Sequence, residues 1–141
     1  MIVLFDINVV LDVLLRREPH AAPAVRLFSA VEQGDLSGIL AASTLPTIYY
    51  VATKTVGAAR ARAHLRSLLK LFTVAPVNRA ILEDALTLPF SDYEDAILHE
   101  AARHAGAAGV VTRNLKDFVR ATLRVYSPDE LVQALRTGNA E

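Results

Sequence analysis

The chain has 141 residues, just over half of them apolar, with fifteen basic residues balanced by fifteen acidic ones and no cysteine. That length and apolar content suit one domain spanning residues 1–141, with too little chain for a second core. Without cysteine there are no disulfides, zinc knuckles or thiol catalysis, so any metal must be held by oxygen or imidazole, which favours Mg²⁺ or Mn²⁺. The cancelled charge gives no overall steering toward polyanions, so nucleic acid would need a local patch. No secretory leader and no apolar stretch of about 20 residues is present, so the expectation is a soluble, cytoplasmic protein that does not engage a membrane.

In chain order, Ile2-Val3-Leu4-Phe5 reads as a buried strand that ends abruptly on Asp6, and Asn8 leads into a helix over Val9–Arg16 that carries Asp12. A helix over Ala21–Gln33 precedes a second strand, Ser37–Ala42. Helical patterns follow over Thr44–Thr55 and Ala58–Lys70, then a third strand, Leu71–Val77. Helices over Asn78–Leu88 and Asp92–His104 lead to a fourth strand, Gly109–Thr112. Leu123–Ser127 is the fifth strand, before a last helix from Pro128 to Leu135. Strands alternating with helices predict an α/β fold, a three-layer α/β/α sandwich around a parallel sheet of about five strands.

In such sheets ligands bind beyond the carboxyl ends of the strands, where Asp6 sits. A lone Asp there is more readily explained as a helix cap, a role open to Asp6 or Asn8. Two further stretches add weight. In "FSDYEDAILHEAARHAG", Ser91 and Glu94 form an S-x-x-E capping box, Asp92 suits the first turn, and Gly106 suits the helix end. Asp95 is different, because Leu98 and Ala102 follow it at helical spacing and place it beside the apolar stripe. In "GVVTRNLKDF" a strand ends on Thr112, with Asn114 and Asp117 close behind. Three segments distant in sequence thus bring carboxylates to one sheet edge. Unpaired, they would repel one another, and a divalent cation would neutralise them and activate a water for attack on a phosphodiester.

Asp6-x-Asn8 after the first strand, "DYEDAILHEAA" and "VVTRNLKDF" together resemble the PIN domain family over essentially the whole chain. The resemblance implies a small three-layer nuclease. Many bacterial members, including the VapC-type toxins, are metal-dependent endoribonucleases held inactive by a cognate antitoxin, and PIN domains often dimerise. Carried over, Asp6 matches the first metal ligand and Asn8 its supporting polar residue, Asp95 the helix-start Asp, and Asn114 and Asp117 the last polar pair. Thr112 matches the hydroxyl at the strand end. The implied metal set is Asp6, Asp95 and Asp117, with Asn114 assisting. Asp12 has no firm role and reads as a helix-surface or supporting residue.

One departure stands out. Where PIN nucleases usually carry a Glu in the helix after the second strand, this chain reads "STLPTIYYVATK", and the matching position is Thr47. Threonine is a poorer ligand and no base. Glu32 and Asp35 do not fit the pattern. The expected activity is hydrolysis of RNA phosphodiesters, and the competing reading is a catalytically silent relative that binds RNA or a protein. A phosphatase or receiver-type domain with Asp6 as nucleophile fits less well, since that pattern needs D-x-D. "HEAARH" is not a zincin motif, because residue 103 is Arg.

Arg113 and Lys116, with Arg120, are the expected phosphate contacts. Arg62, Arg66 and Lys70 form a basic stripe that reads as a solvated face, and Tyr49 and Tyr50 either stack bases or pack. Val10, Leu14, Leu27, Phe28 and Tyr49 make an apolar face that serves the core or an interface. The expected partners are RNA, a cognate antitoxin and a second copy of the chain.

Overall fold

A computed structural model of the chain describes residues 1–138. Each short apolar run forms a strand: β1 (Ile2–Phe5), β2 (Ser37–Ala41), β3 (Thr73–Ala75), β4 (Gly109–Val111) and β5 (Arg124–Tyr126). The helices are α1 (Ile7–Leu14), α2 (Ala21–Glu32), α3 (Leu45–Val56), α4 (Ala58–Leu71), α5 (Arg79–Leu86), α6 (Tyr93–His104) and α7 (Pro128–Thr137). Short 3₁₀ turns at Ala42–Thr44 and Leu115–Phe118 follow β2 and β4. The strands pair in parallel in the order β3-β2-β1-β4-β5, with helices on both faces, so the expected three-layer α/β/α architecture is the one formed. Among the described residues no helix is long and apolar enough to cross a membrane.

Alternation along the strands divides the core in two. Val3, Phe5, Leu40 and Val111 face α1, α2, α3, α4 and α7 through Val10, Leu27, Ile48, Leu68 and Leu131. Leu4, Ile39, Ala75 and Val110 face α5 and α6 through Ile81, Ala85, Leu98 and Ala102. On the first face Phe5, Phe28 and Phe72 pack edge to face, with ring centroids 6.0, 5.0 and 5.1 Å apart. Val10 and Leu27 of the expected apolar face are fully buried there, while Leu14, Phe28 and Tyr49 stay half-buried.

The strand order fixes the crevice. From β1 the chain winds outward through β2 to β3, then crosses back to β4 on the other side of β1. The direction of winding reverses between β1 and β4, and the segments leaving their carboxyl ends diverge. Phe5 lies opposite Val111, so Asp6 and Thr112 are the first residues beyond the sheet at this point. The Asp6 N–H donates to the Val111 carbonyl at 3.0 Å, and the Thr112 N–H to the Tyr126 carbonyl at 2.9 Å.

At two helix starts the capping differs from the sequence reading. α1 begins at Ile7, two residues early, because the Asp6 carboxylate accepts from the Ile7 N–H at 2.7 Å. The expected Ser91–Glu94 capping box does not form. Asp92, one residue closer to the helix, is the N-cap and accepts from the Glu94 N–H at 2.9 Å. A capping box forms instead at α7, between Ser127 and Glu130. Gly106, at φ 75°, follows the end of α6 as expected.

Gly109 has no room for a side chain, since a Cβ there would lie 2.6 Å from the Arg124 carbonyl oxygen on β5. Backbone cannot swing aside as a side chain can. Gly109→Ala is therefore expected to lower stability by about 1–3 kcal/mol, read as a lower urea midpoint at unchanged slope.

Candidate active site

The Asp6 carboxylate is buried and held from three sides. One oxygen, Oδ1, accepts from the Ile7 N–H. The other, Oδ2, accepts from the Thr112 hydroxyl at 2.8 Å and from the Asn8 amide at 3.4 Å. Thr112 is itself oriented, because its Oγ1 accepts from the Asn114 N–H at 3.0 Å. The cap and the site readings of Asp6 are thus both satisfied by one side chain. Burial raises its pKa, the hydrogen bonds from Thr112 and Ile7 work against that, and the nearby Asp117 raises it further while Arg113 lowers it. A carboxylate offers about four lone-pair sites, so three donors leave room for one more partner.

That partner would sit in a cavity of about 280 Å³ lined by Asp6, Ile7, Ser43, Thr44, Thr47, Glu94, Asp95, Ile97 and Leu98. Asp95 reaches it from the first turn of α6, half-buried. Its carboxyl is pushed up to about 7, first by burial and then by the charges of Asp6, Asp92, Asp117 and Glu94. All these influences push the same way. Asp117 enters from the 3₁₀ turn after β4, close enough that its charge acts on both Asp6 and Asp95. Among the described residues these three carboxylates do not all lie within 4.8 Å of one another. A set of carboxylate oxygens with no sulfur, short of positive charge at its centre, fits a hard divalent cation.

Residues 2–116 match the PIN domain family. The chain belongs to the PIN domain family. No curated protein sequence matches it closely enough to count as a relative. Solved structures similar to this PIN domain include VapBC2 from Rickettsia felis bound to a promoter DNA fragment, at 14% identity and a TM-score of 0.70 over 90% of this chain and 98% of that one. A toxin–antitoxin complex from Klebsiella pneumoniae follows at 24% identity and 0.68, over 89% and 97%. VapC20 of Mycobacterium tuberculosis, described as a sarcin–ricin-loop-cleaving toxin, is similar at 14% identity and 0.62, over 77% and 86%. At these identities the likeness is one of fold.

Within this PIN domain the expected residues separate into groups. Asp6, Asp95 and Thr47 share the cavity, Asn8 and Thr112 hold Asp6, and Asp117 acts on the others by charge. Asn114 is exposed and contributes through its backbone N–H. Lys116 lies exposed beside Asp117 and Arg120 along a shallow depression. Arg113, expected to meet phosphate, instead directs its guanidinium at Asp12, with Nε 2.6 Å and the terminal nitrogen 3.2 Å from the carboxylate. Asp12 is not on the helix surface. It is completely buried and also paired with Arg17 at 3.0 Å. The helical spacing of Asp12 from Asn8 was the available sign, because it puts both on the face of α1 that meets the turn after β4.

His99, in the same helix as Asp95, is part of a buried network. It is buried, with Nε2 accepting from the N–H groups of Thr122 and Leu123 at 3.1 and 3.3 Å and Nδ1 2.8 Å from Glu100. Those backbone donors require a bare Nε2, so the proton is on Nδ1 and is donated to Glu100. Burial alone would raise the Glu100 pKa, yet the hydrogen bonds from Arg103 and His99 outweigh it and hold the carboxyl below its usual range. Asp84, Glu100 and His104 cluster within 4.8 Å, but Arg103 lies among them, 2.8 Å from Glu100 and 3.4 Å from Asp84, and supplies the positive charge a metal would bring.

The raised pKa of Asp95 fixes a pH dependence. The metal-free folded state holds its proton up to about pH 7, whereas the unfolded chain releases it near 3.8, so the contribution is complete below 3.8 and is lost as pH rises toward 7. In EDTA the wild-type melting temperature should fall between pH 5 and pH 8, and Asp95→Asn should remove much of that fall. Parallel curves for the two proteins would refute the shift.

Proposed function

We propose that this PIN domain is a metal-dependent endoribonuclease in which Asp6, Asp95 and Asp117 hold Mg²⁺ or Mn²⁺. The observation that carries the reading is Asp95, pushed up to about 7 at a cavity it shares with Asp6, where the charges that act on it, those of Asp6, Asp92, Asp117 and Glu94, are all negative. A structural carboxylate would be given a donor. This one is left facing others of its own sign, which suits a group that completes its environment with a cation. When bound, the ion supplies charge neutralisation at the phosphate and an activated water.

The chain's own groups do the rest. Thr112, Asn8 and the Ile7 N–H fix the direction of the Asp6 carboxylate, so it need not reorganise when the reaction proceeds. Lys116 and Arg120, beside Asp117, are exposed cations suited to the RNA backbone, and single-stranded or looped RNA is the substrate that can present a phosphate to a cavity of this size. One similar structure is a toxin–antitoxin complex, which supports a cognate antitoxin as partner, and a homodimer is proposed alongside it.

A second reading has its own observation. Thr47 lines the cavity at the position where the family's usual Glu would stand, so one carboxylate is missing. On that reading the domain binds RNA or a protein and does not cut. Incubating a labelled structured RNA with the purified protein in Mn²⁺, Mg²⁺ or EDTA separates the two. Cutting that needs the metal and falls roughly a hundredfold or more in Asp95→Asn is the expected result. An inactive wild type, with activity appearing in Thr47→Glu, would establish the silent reading instead.

A further inference from the structure

Asp12 is the most deeply buried charge in the described structure that no ligand role explains. It is the sixth residue of α1, and its two arginines come from different parts of the chain, Arg17 from just beyond α1 and Arg113 from 101 residues away. A buried ion pair is a weak source of stability, because desolvation offsets much of the attraction. What the pair does well is fix geometry, since the planar guanidinium meets Asp12 through two nitrogens at 2.6 and 3.2 Å.

The geometry it fixes is that of the candidate metal centre. Arg113 sits between Thr112, whose hydroxyl holds Asp6, and Asn114, whose N–H orients that hydroxyl. Its own N–H donates to Asn8 Oδ1 at 3.3 Å, and the Asn8 amide reaches the same Asp6 oxygen. Four residues after Arg113 the turn delivers Asp117, whose charge repels that of Asp6. Left to itself, that repulsion pushes the turn away from β1. The Arg113–Asp12 pair supplies the restoring tether, and it acts on the turn at its root.

We infer that Arg113 and Asp12 are positioning residues that hold the turn after β4 against the repulsion of the site's carboxylates, so that Asp6 and Asp117 are set to receive a cation. This rests on the metal-centre reading above. Arg113 then contributes by fixing the turn, and its guanidinium is not free to take phosphate.

Isothermal titration of the whole chain with Mn²⁺ tests the inference without relying on activity. Arg113→Met should weaken Mn²⁺ binding about 10- to 100-fold, the usual effect of losing a group that orients ligands. Asp12 keeps Arg17 in that variant, so no buried charge is orphaned. Arg17→Met is the control, because it removes an ion pair from the same carboxylate but leaves the turn tethered. It should lower the melting temperature and leave the Mn²⁺ affinity unchanged. If Arg113→Met does not fold, Arg113→Lys takes its place, keeping the charge but losing the two-pronged contact, and should also bind more weakly than the wild type. Wild-type affinity in the folded Arg113 variant, or equal weakening in Arg17→Met, overturns the tether. A wild type that binds no Mn²⁺, or Asp95→Asn that binds as tightly as wild type, overturns the metal centre and the tether with it.

Discussion

The mutual repulsion of Asp6, Asp95 and Asp117 is the constraint around which the rest of the molecule is arranged. Charges of one sign in a half-buried cavity raise one another's pKa values and drive apart the segments that carry them. Three different kinds of backbone hold them. Asp6 is the continuation of the central strand, Asp95 is in the first turn of a helix packed on the sheet, and Asp117 is on a turn rooted beside Thr112. None of the three can retreat far without disturbing a buried element.

A parallel sheet with its winding reversal at β1 and β4 is well suited to this. The two strands are hydrogen-bonded neighbours, so Asp6 and Thr112 are fixed relative to each other by the ladder itself. The remaining adjustment is made by side chains: Thr112 and Asn8 on Asp6, and Arg113 on Asp12. On the other side of α6, His99, Glu100 and Arg103 form a neutralised network that ties the helix to the segment before β5. The contrast is informative. There a cluster of acids is completed by Arg103 from within the chain, while the Asp6–Asp95–Asp117 group is left short of positive charge.

Much of this was legible in the sequence. The strands are visible because short apolar runs such as Ile2–Phe5 mark strands buried on both faces of a parallel sheet, and Asp6 stands out because a charge ends one. Asp95 was placed by its spacing from Leu98 and Ala102. Local competition was harder to read. Ser91 and Asp92 are both good caps, and only the backbone shows that Asp92 prevails. The partners of Asp12 were also hidden, since a pair spanning 101 residues leaves no periodic trace and Arg113, lying among polar residues, looks free to meet phosphate. His99 was obscured likewise, because its partners are backbone groups, which carry no sequence signature.

The most direct test of the central claim is the position of a metal ion. A crystal of the protein grown in or soaked with Mn²⁺ would locate it by anomalous scattering. The expected result is a peak between the carboxylates of Asp6, Asp95 and Asp117, with those side chains drawn closer together than their repulsion otherwise permits. A Mn²⁺ peak confined to Asp84, Glu100 and His104, or none at the strand ends under saturating metal, would contradict it.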